Sequence, residues 1–499
     1  MKPFSGWSNW KSFAALMVAF ALAFCFLFTS VASAQTTIGS GSISGLVTDP
    51  SGAAVPGAKV TITNTETGQV ANLQTTSTGT YSSGALSPGN YMVRVSATGF
   101  KTTQTPVTVQ VGVTSTGNVK LQVGVSSTVV EVSGQAVAVN TEQATIQGVL
   151  TSQQIKNLPI NGRNFLDLAQ LEPGVQIQDG SNFDPTKVGF SSISFGGQFG
   201  RTARIEVDGV DVSDETVGTT TEDIPSIAIS EFQTEQSTLD PSTELTSSGA
   251  VNVVTKSGTN GFHGDADGLF RGNQIAAALP SPVGFPTTFQ RNFFDGDFGG
   301  PIVKNKLFFY ASGERIIQHE NAGVPQAAPF TSIAGYAPLP FKEGDTTDKL
   351  DWTGPHGMHL FYRFSYFKNL VNSAFGAVSY QIYQNEDITR DHDIGLDFST
   401  GAFTHSFRFS YLKFQNNIED AVRGSNLPYA NYPVSMNLGN FFTGPNLLAP
   451  QETPQSDRQV KYDGSWIHGN HIIRYGMDYN RIQGGGYAKF FGIDPSVFG

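Results

Sequence analysis

From Phe262 onward the apolar residues of this chain recur at every second position. Leu360, Tyr362, Phe364 and Tyr366 fall on one face of an extended segment, with His359, Phe361, Arg363 and Ser365 on the other. Phe407, Phe409 and Tyr411 alternate in the same way with Arg408, Ser410 and Leu412. A period of two is that of a β-strand, and repeated long runs of it leave little room for helix. Leu307-Phe308-Phe309-Tyr310, Trp466-Ile467 and Ile472-Ile473-Arg474-Tyr475 belong to further strands, separated by Gly-containing turns such as Gly469-Asn470. A membrane strand needs ~9–11 alternating residues with aromatics at both interfaces, and these segments fit that requirement.

The N-terminus bears on the membrane question. Lys2 and Lys11 begin the chain, an apolar run follows from Phe13 to Phe28, and Ala32-Ser33-Ala34 supplies small residues for cleavage. Residues 1–34 therefore read as a signal peptide, with Gln35 as the new N-terminus. Cys25 is the only cysteine and lies inside that run, with Phe24 where a lipoprotein signal requires a small residue. The exported chain then has no disulfide and no thiolate chemistry. It also has no second long apolar run, so entry into a membrane must be as a β-barrel. Charged residues make up 14% of the chain and the formal net charge is −11, which offers no basic surplus for nucleic acid.

Residues 42–124 read as a small β-sandwich. Ile43–Thr48 alternates, Asp49-Pro50-Ser51-Gly52 turns, and alternation resumes through Val55–Ile62, Tyr91–Val95 and Val107–Val111. Gly45-Leu46-Val47-Thr48-Asp49, Pro56-Gly57-Ala58, Gly79-Thr80-Tyr81 and Leu86-Ser87-Pro88-Gly89-Asn90-Tyr91 resemble the carboxypeptidase regulatory-like family, a transthyretin-like fold. That resemblance implies an accessory domain, related to carbohydrate-binding folds, and no peptidase. A zinc peptidase needs His and Glu ligands, and residues 35–262 contain no histidine.

Residues 125–258 read as mixed α/β. Thr151–Leu158 is a short capped helix ended by Pro159. Arg204–Val212 is two alternating runs about an Asp208-Gly209 hairpin turn, with positive φ expected at Gly209. The turn alone makes Gly209→Val more damaging than Asp208→Asn. The ordered strings Asn161-Gly162-Arg163-Asn164-Phe165, Val207-Asp208-Gly209 and Asn252–Asn260 resemble the plug domain of TonB-dependent outer-membrane receptors, in particular the Oar-like group.

The resulting fold is mainly β, with an N-terminal β-sandwich, a small mixed plug and, over residues 259–499, antiparallel strands of an incomplete transmembrane barrel. About nine strands can be marked after Phe262, whereas plug-holding barrels use about 22, so the sequence is expected to be incomplete as a transporter. Asp494–Gly499 reads as loop.

The receptor resemblance implies an outer-membrane location in contact with lipid, the sandwich in the periplasm, and uptake of an extracellular ligand energised through TonB. Carbohydrate, hence a glycan, and peptide are candidate ligand classes. TonB recognises such receptors by strand addition, and Val129, Val130, Glu131 and Val132 form the candidate segment. Most receptors carry that box near the mature N-terminus, where residues 35–41 contain nothing similar. The alternative is a structural or adhesive outer-membrane protein of the Oar type.

No catalytic, cofactor or metal site is expected. His468 and His471 span an apparent hairpin turn, and Asp208, Asp211 and Asp214 do not follow calcium-loop spacing. The pairs Asp265/Asp267 and Asp295/Asp297 fit polar residues facing a barrel lumen.

Overall fold

The computed structural model describes residues 39–124, 129–131, 146–158, 164–489 and 496–498, less short breaks at 185–186, 237–242, 244–245, 278–281, 283, 375–377, 402, 440, 448 and 469–470. The expected signal peptide, 1–34, lies outside the described residues. The fold is mainly β.

Two sheets make the sandwich. In one, Ser42–Thr48 pairs antiparallel with Thr80–Ser82 and parallel with Thr114–Thr116 and Val119–Lys120. The other runs Val70–Gln74, Lys59–Asn64, Gly89–Ser96, Thr102–Val109 and Val129–Glu131 in spatial order. Their alternating inward residues, including Ile43, Val47, Val60, Ile62, Val93 and Val95, are buried together. Period two thus delivers one dry face per sheet.

The second region is built on a five-stranded sheet. Its order is Ile146–Thr151, Ile229–Gln236, Gly249–Thr255, Ala203–Val207 and Val210–Asp211. Ser152–Asn157 is the short helix, and the Thr151 N–H donates to Gln154 Oε1 at 2.9 Å across its first turn. Phe165–Leu171 forms a 3-10 helix that buries Phe165, Leu166 and Leu168.

Beyond it lies an antiparallel sheet with nine strands along its main path: Ala266–Gly272, Thr288–Val303, Leu307–Val324, Phe341–Thr353, His359–Ala374, Ile382–Thr400, Phe403–Asp420, Gln451–His468 and His471–Gly484. The first and last of these do not pair with each other, so the sheet is an open barrel wall. Consecutive strands are joined alternately by short turns and by long loops. The short connections, which follow Val303, Thr353, Thr400 and His468, all lie at one end, and that end is periplasmic by the rule for outer-membrane barrels.

Many of the strands are longer than the membrane requires, up to 19 residues in Ile382–Thr400. The outward row explains the excess. In Phe403–Asp420 it reads Phe403, His405, Phe407, Phe409 and Tyr411, then Lys413, Gln415, Asn417 and Glu419. Phe403 stacks on Trp466 at the short-turn end. At the other boundary Arg390 lies opposite Lys413, with its guanidinium 5.5 Å from the Tyr366 ring centre. The apolar band from Phe403 to Tyr411 therefore has the span of about nine residues that hydrocarbon demands, and the polar remainder projects outward beyond it.

Ser496–Phe498 corrects the loop reading of the last residues. It pairs parallel with Ser435–Leu438. Three residues are too few to display a period, so alternation could not reveal this strand.

Candidate plug and barrel interface

The inward face of the wall is buried because the five-stranded region sits against it, and the junction centres on one hairpin. Asp208 and Gly209 join Ala203–Val207 to Val210–Asp211 with φ of +50° and +88°, as a two-residue turn with two left-handed positions requires. The Asp208 carboxylate accepts from the Thr255 N–H at 3.0 Å and from the Thr255 hydroxyl at 2.6 Å. Those bonds tie the hairpin to the neighbouring strand.

Asp208 also reaches the wall. Lys349 Nζ lies 3.3 Å from its Oδ1 and Arg363 Nε 3.5 Å from its Oδ2, while Arg408 Nε donates to the Asp208 carbonyl at 3.0 Å. Burial alone would raise the Asp208 pKa, but the Lys349 and Arg363 charges outweigh it and hold the carboxyl below its ordinary value. Lys461 approaches Glu206 and the Gly209 carbonyl, each at 3.4 Å.

Arg363 is fully buried and is the hub of this network. Its Nη2 is 2.9 Å from Asp391 and also bonds Asp393, and its Nη1 is 3.7 Å from Glu222. Burial drives the Glu222 carboxyl up to about 7 against the pull of Arg363. Further along, Lys187 pairs with Asp214 and lies over the Phe414 ring, 4.2 Å from its centre. Tyr310 donates to the Ile227 carbonyl at 3.1 Å, and Lys256 pairs with Asp297 at 3.1 Å. Aromatic contact across the junction includes Phe190 against Phe367 and Phe414.

The predicted plug residues divide on this frame. Asp208 and Gly209 stand at the junction. Asn164 caps the 3-10 helix by accepting from the Leu166 N–H at 3.0 Å, and its amide donates to Asp223 at 3.1 Å. Asn161, Gly162 and Arg163 lie outside the described residues. Val129, Val130 and Glu131 form the last strand of the second sandwich sheet, parallel to Thr102–Gln104, and Val132 lies outside the described residues. Sequence reasoning missed Lys349, Arg408 and Lys461 as partners of the plug. Their signal was a cation at an inward position of an alternating strand, as Arg408 is between Phe407 and Phe409.

The carboxylates considered for calcium are taken up separately. Asp208 pairs with Lys349, Asp211 with Arg204 at 3.4 Å, and Asp214 with Lys187. Among the described residues no group of three His, Cys, Asp or Glu side chains could hold a metal ion. His468 and His471 are the last antiparallel pair of their hairpin. Asp265 pairs with Lys156 at 2.7 Å.

Residues 42–122 match the carboxypeptidase regulatory-like domain family, and residues 254–335 match an outer membrane beta barrel domain family. The chain is 26% identical over 307 residues to the TonB-dependent transporter Oar of Myxococcus xanthus, covering 57% of this chain and 27% of Oar. Among solved structures it resembles the outer membrane transporter YddB of Escherichia coli, with a TM-score of 0.53 and 11% identity over 68% of this chain and 48% of YddB. At that identity the likeness shows the fold. The chain thus spans about a quarter of one relative and about half of the other. The two family matches, the sequence relationship and the shared fold make this an outer-membrane chain that is similar to the TonB-dependent transporter Oar and carries a carboxypeptidase regulatory-like domain at residues 42–122.

Proposed function

We propose that the protein takes up an extracellular ligand across the outer membrane and is energised through TonB. The observation that carries this reading is the chemistry of the plug and barrel junction. A permanent stopper would be sealed by apolar packing, whose separation exposes oily surface. Here the junction carries, beside its aromatic contacts, the buried charged groups Asp208, Lys349, Arg363, Arg408, Glu206 and Lys461. Each of these groups is rehydrated when the plug leaves, which offsets the lost ion pairs. Such a contact is firm at rest and can be parted by a pull.

TonB would act on Val129, Val130, Glu131 and Val132. The strand Val129–Glu131 is the outermost of its sheet, and among the described strands none pairs with its far edge. An edge of that kind accepts an added strand by backbone hydrogen bonds. The sandwich lies on the periplasmic side, where TonB reaches. Carbohydrate and peptide are the ligand classes we place first, through the glycan-binding relatives of the sandwich fold.

Disulfide capture in cells tests the coupling. Val130→Cys should crosslink to a cysteine in the C-terminal domain of TonB, and Ser51→Cys on the far side of the sandwich should not. Equal capture at both sites, or none at residue 130, would contradict the assignment. Uptake that survives collapse of the proton gradient would contradict the energised mechanism.

A further inference from the structure

The sandwich does not hang free of the barrel. It meets the short-turn end at several separate places. The Asn260 N–H, at the start of the wall, donates to the Glu66 carbonyl at 2.9 Å. Gln69 Nε2 donates to the Gly357 carbonyl at 3.0 Å, within the turn that precedes His359. Ser87 Oγ lies 3.4 Å from His359 Nδ1. A Cβ built on Gly84 would sit 3.7 Å from that of Ser399, beside a third short turn. The plug is touched as well: the Val111 N–H donates to Glu231 Oε2 at 2.6 Å, and Gly112 abuts the Gln233 amide.

Beneath these contacts is a cavity of about 480 Å³. Asn64, Glu66 and Ser87 of the sandwich form one side, and Asp208, Lys349 and His359 belong to the other. A solute released past the Asp208 hairpin would enter this polar chamber and meet the sandwich next.

We propose that the sandwich is a second, periplasmic stopper, docked on the short turns of the barrel so that it closes the chamber below the plug and must swing aside for passage. Contacts at Asn260, Gly357, His359 and Ser399 lie side by side along the described wall at the edge of the chamber, so a tilt of the sandwich away from the wall opens them together. None of these contacts is an ion pair, and they involve other residues than those that hold the plug. The purpose of the device rests on the uptake reading, while its geometry does not.

Two measurements on the full-length protein in outer-membrane vesicles test the docking without any ligand or proton gradient. Their failure would therefore leave the uptake reading untouched. The first is the double substitution Gly84→Cys with Ser399→Cys. A Cβ separation of 3.7 Å falls within the ~3.5–4.5 Å that a disulfide spans, and the periplasm is oxidising. This pair should crosslink during export, whereas Gly52→Cys with Ser399→Cys should not, because nothing lies within 4 Å of Gly52. The second uses Ser230→Cys, on the chamber wall. A bulky polyethylene glycol maleimide should label it about tenfold faster in a chain lacking residues 42–124, as the protection comes from a closed state that opens rarely. Absence of the crosslink, or equal labelling rates, would overturn the proposal. If the deleted chain is not exported, the crosslink alone decides.

Discussion

In the sandwich, Ile43, Val60, Ile62, Val93 and Val95 fill the space between two sheets, and among the described residues no charged side chain is buried with them. A few ångströms away, the plug meets the barrel wall through Asp208, Lys349, Arg363, Glu222 and Arg408. Both regions are built from alternating strands, yet one alternation delivers a dry interior and the other a charged one. The first is suited to a body that stays folded while it moves. The second is suited to a contact that has to part, because ion pairs are exchanged for water with little net cost while removal of one partner is severe.

The largest effect expected from this contrast is at Arg363. Arg363→Met strands Asp391, Asp393, Glu222 and Asp208 without their shared cation, and breaking a buried network in this way costs about 3–5 kcal/mol. Asp208→Asn should cost nearly as much, since Lys349 and Arg363 lose their common anion. Thermal unfolding of the plug in detergent measures both. Gly209→Val comes next, because a left-handed position costs a β-branched residue more than the roughly 1–2 kcal/mol of an ordinary one. This reverses the order that the hairpin turn alone implies, and a larger loss at Gly209 than at Asp208 would show the ion pairs to be idle.

The sandwich should respond differently. Ile62→Ala removes a buried branched side chain and should cost about 2–5 kcal/mol. Expressed alone, residues 42–124 should melt as a β-rich unit, indifferent to chelator, and the substitution should lower that melt without loosening the plug in the whole chain. A helical or chelator-sensitive spectrum would break the comparison on its dry side.

A smaller effect sits where the two regions touch. Burial raises the Glu231 carboxyl to about 7, opposed by the Val111 N–H. To the extent that the docked sandwich supplies this burial, the carboxyl binds its proton more tightly when docked than when free. Docking is therefore unpenalised below the ordinary carboxylate range near 4.5, weakens as pH rises toward about 7, and is weakest above that. The slope is at most about 1.4 kcal/mol per pH unit. Crosslinking of Gly84→Cys with Ser399→Cys at graded pH should follow this course, and Glu231→Gln should flatten it.

Much of this architecture is written locally. The inward row Phe361, Arg363 and Ser365, the Asp208-Gly209 turn and the helix after Thr151 each depend on residues within a few positions of one another. What could not be read is whatever joins distant segments. Nothing near Asp208 announces that its partner is Lys349, 141 residues away, because register among the wall strands decides which inward cation faces the hairpin. The parallel pairing of Ser42–Thr48 with Thr114–Thr116 is hidden for the same reason. So is the seat of the sandwich on the short turns, which uses backbone groups such as the Gly357 carbonyl that every sequence possesses.

The most direct test of a charged, separable plug is mechanical. With the barrel held in a membrane, a handle is attached at Val130→Cys and pulled from the periplasmic side. The plug should unravel in one step, lengthening the chain by about 40 nm as the residues from 130 to 258 extend, while the barrel strands stay in place. The force should fall further in Asp208→Asn. Withdrawal of wall strands together with the plug, or a release force unchanged by Asp208→Asn, would contradict the account.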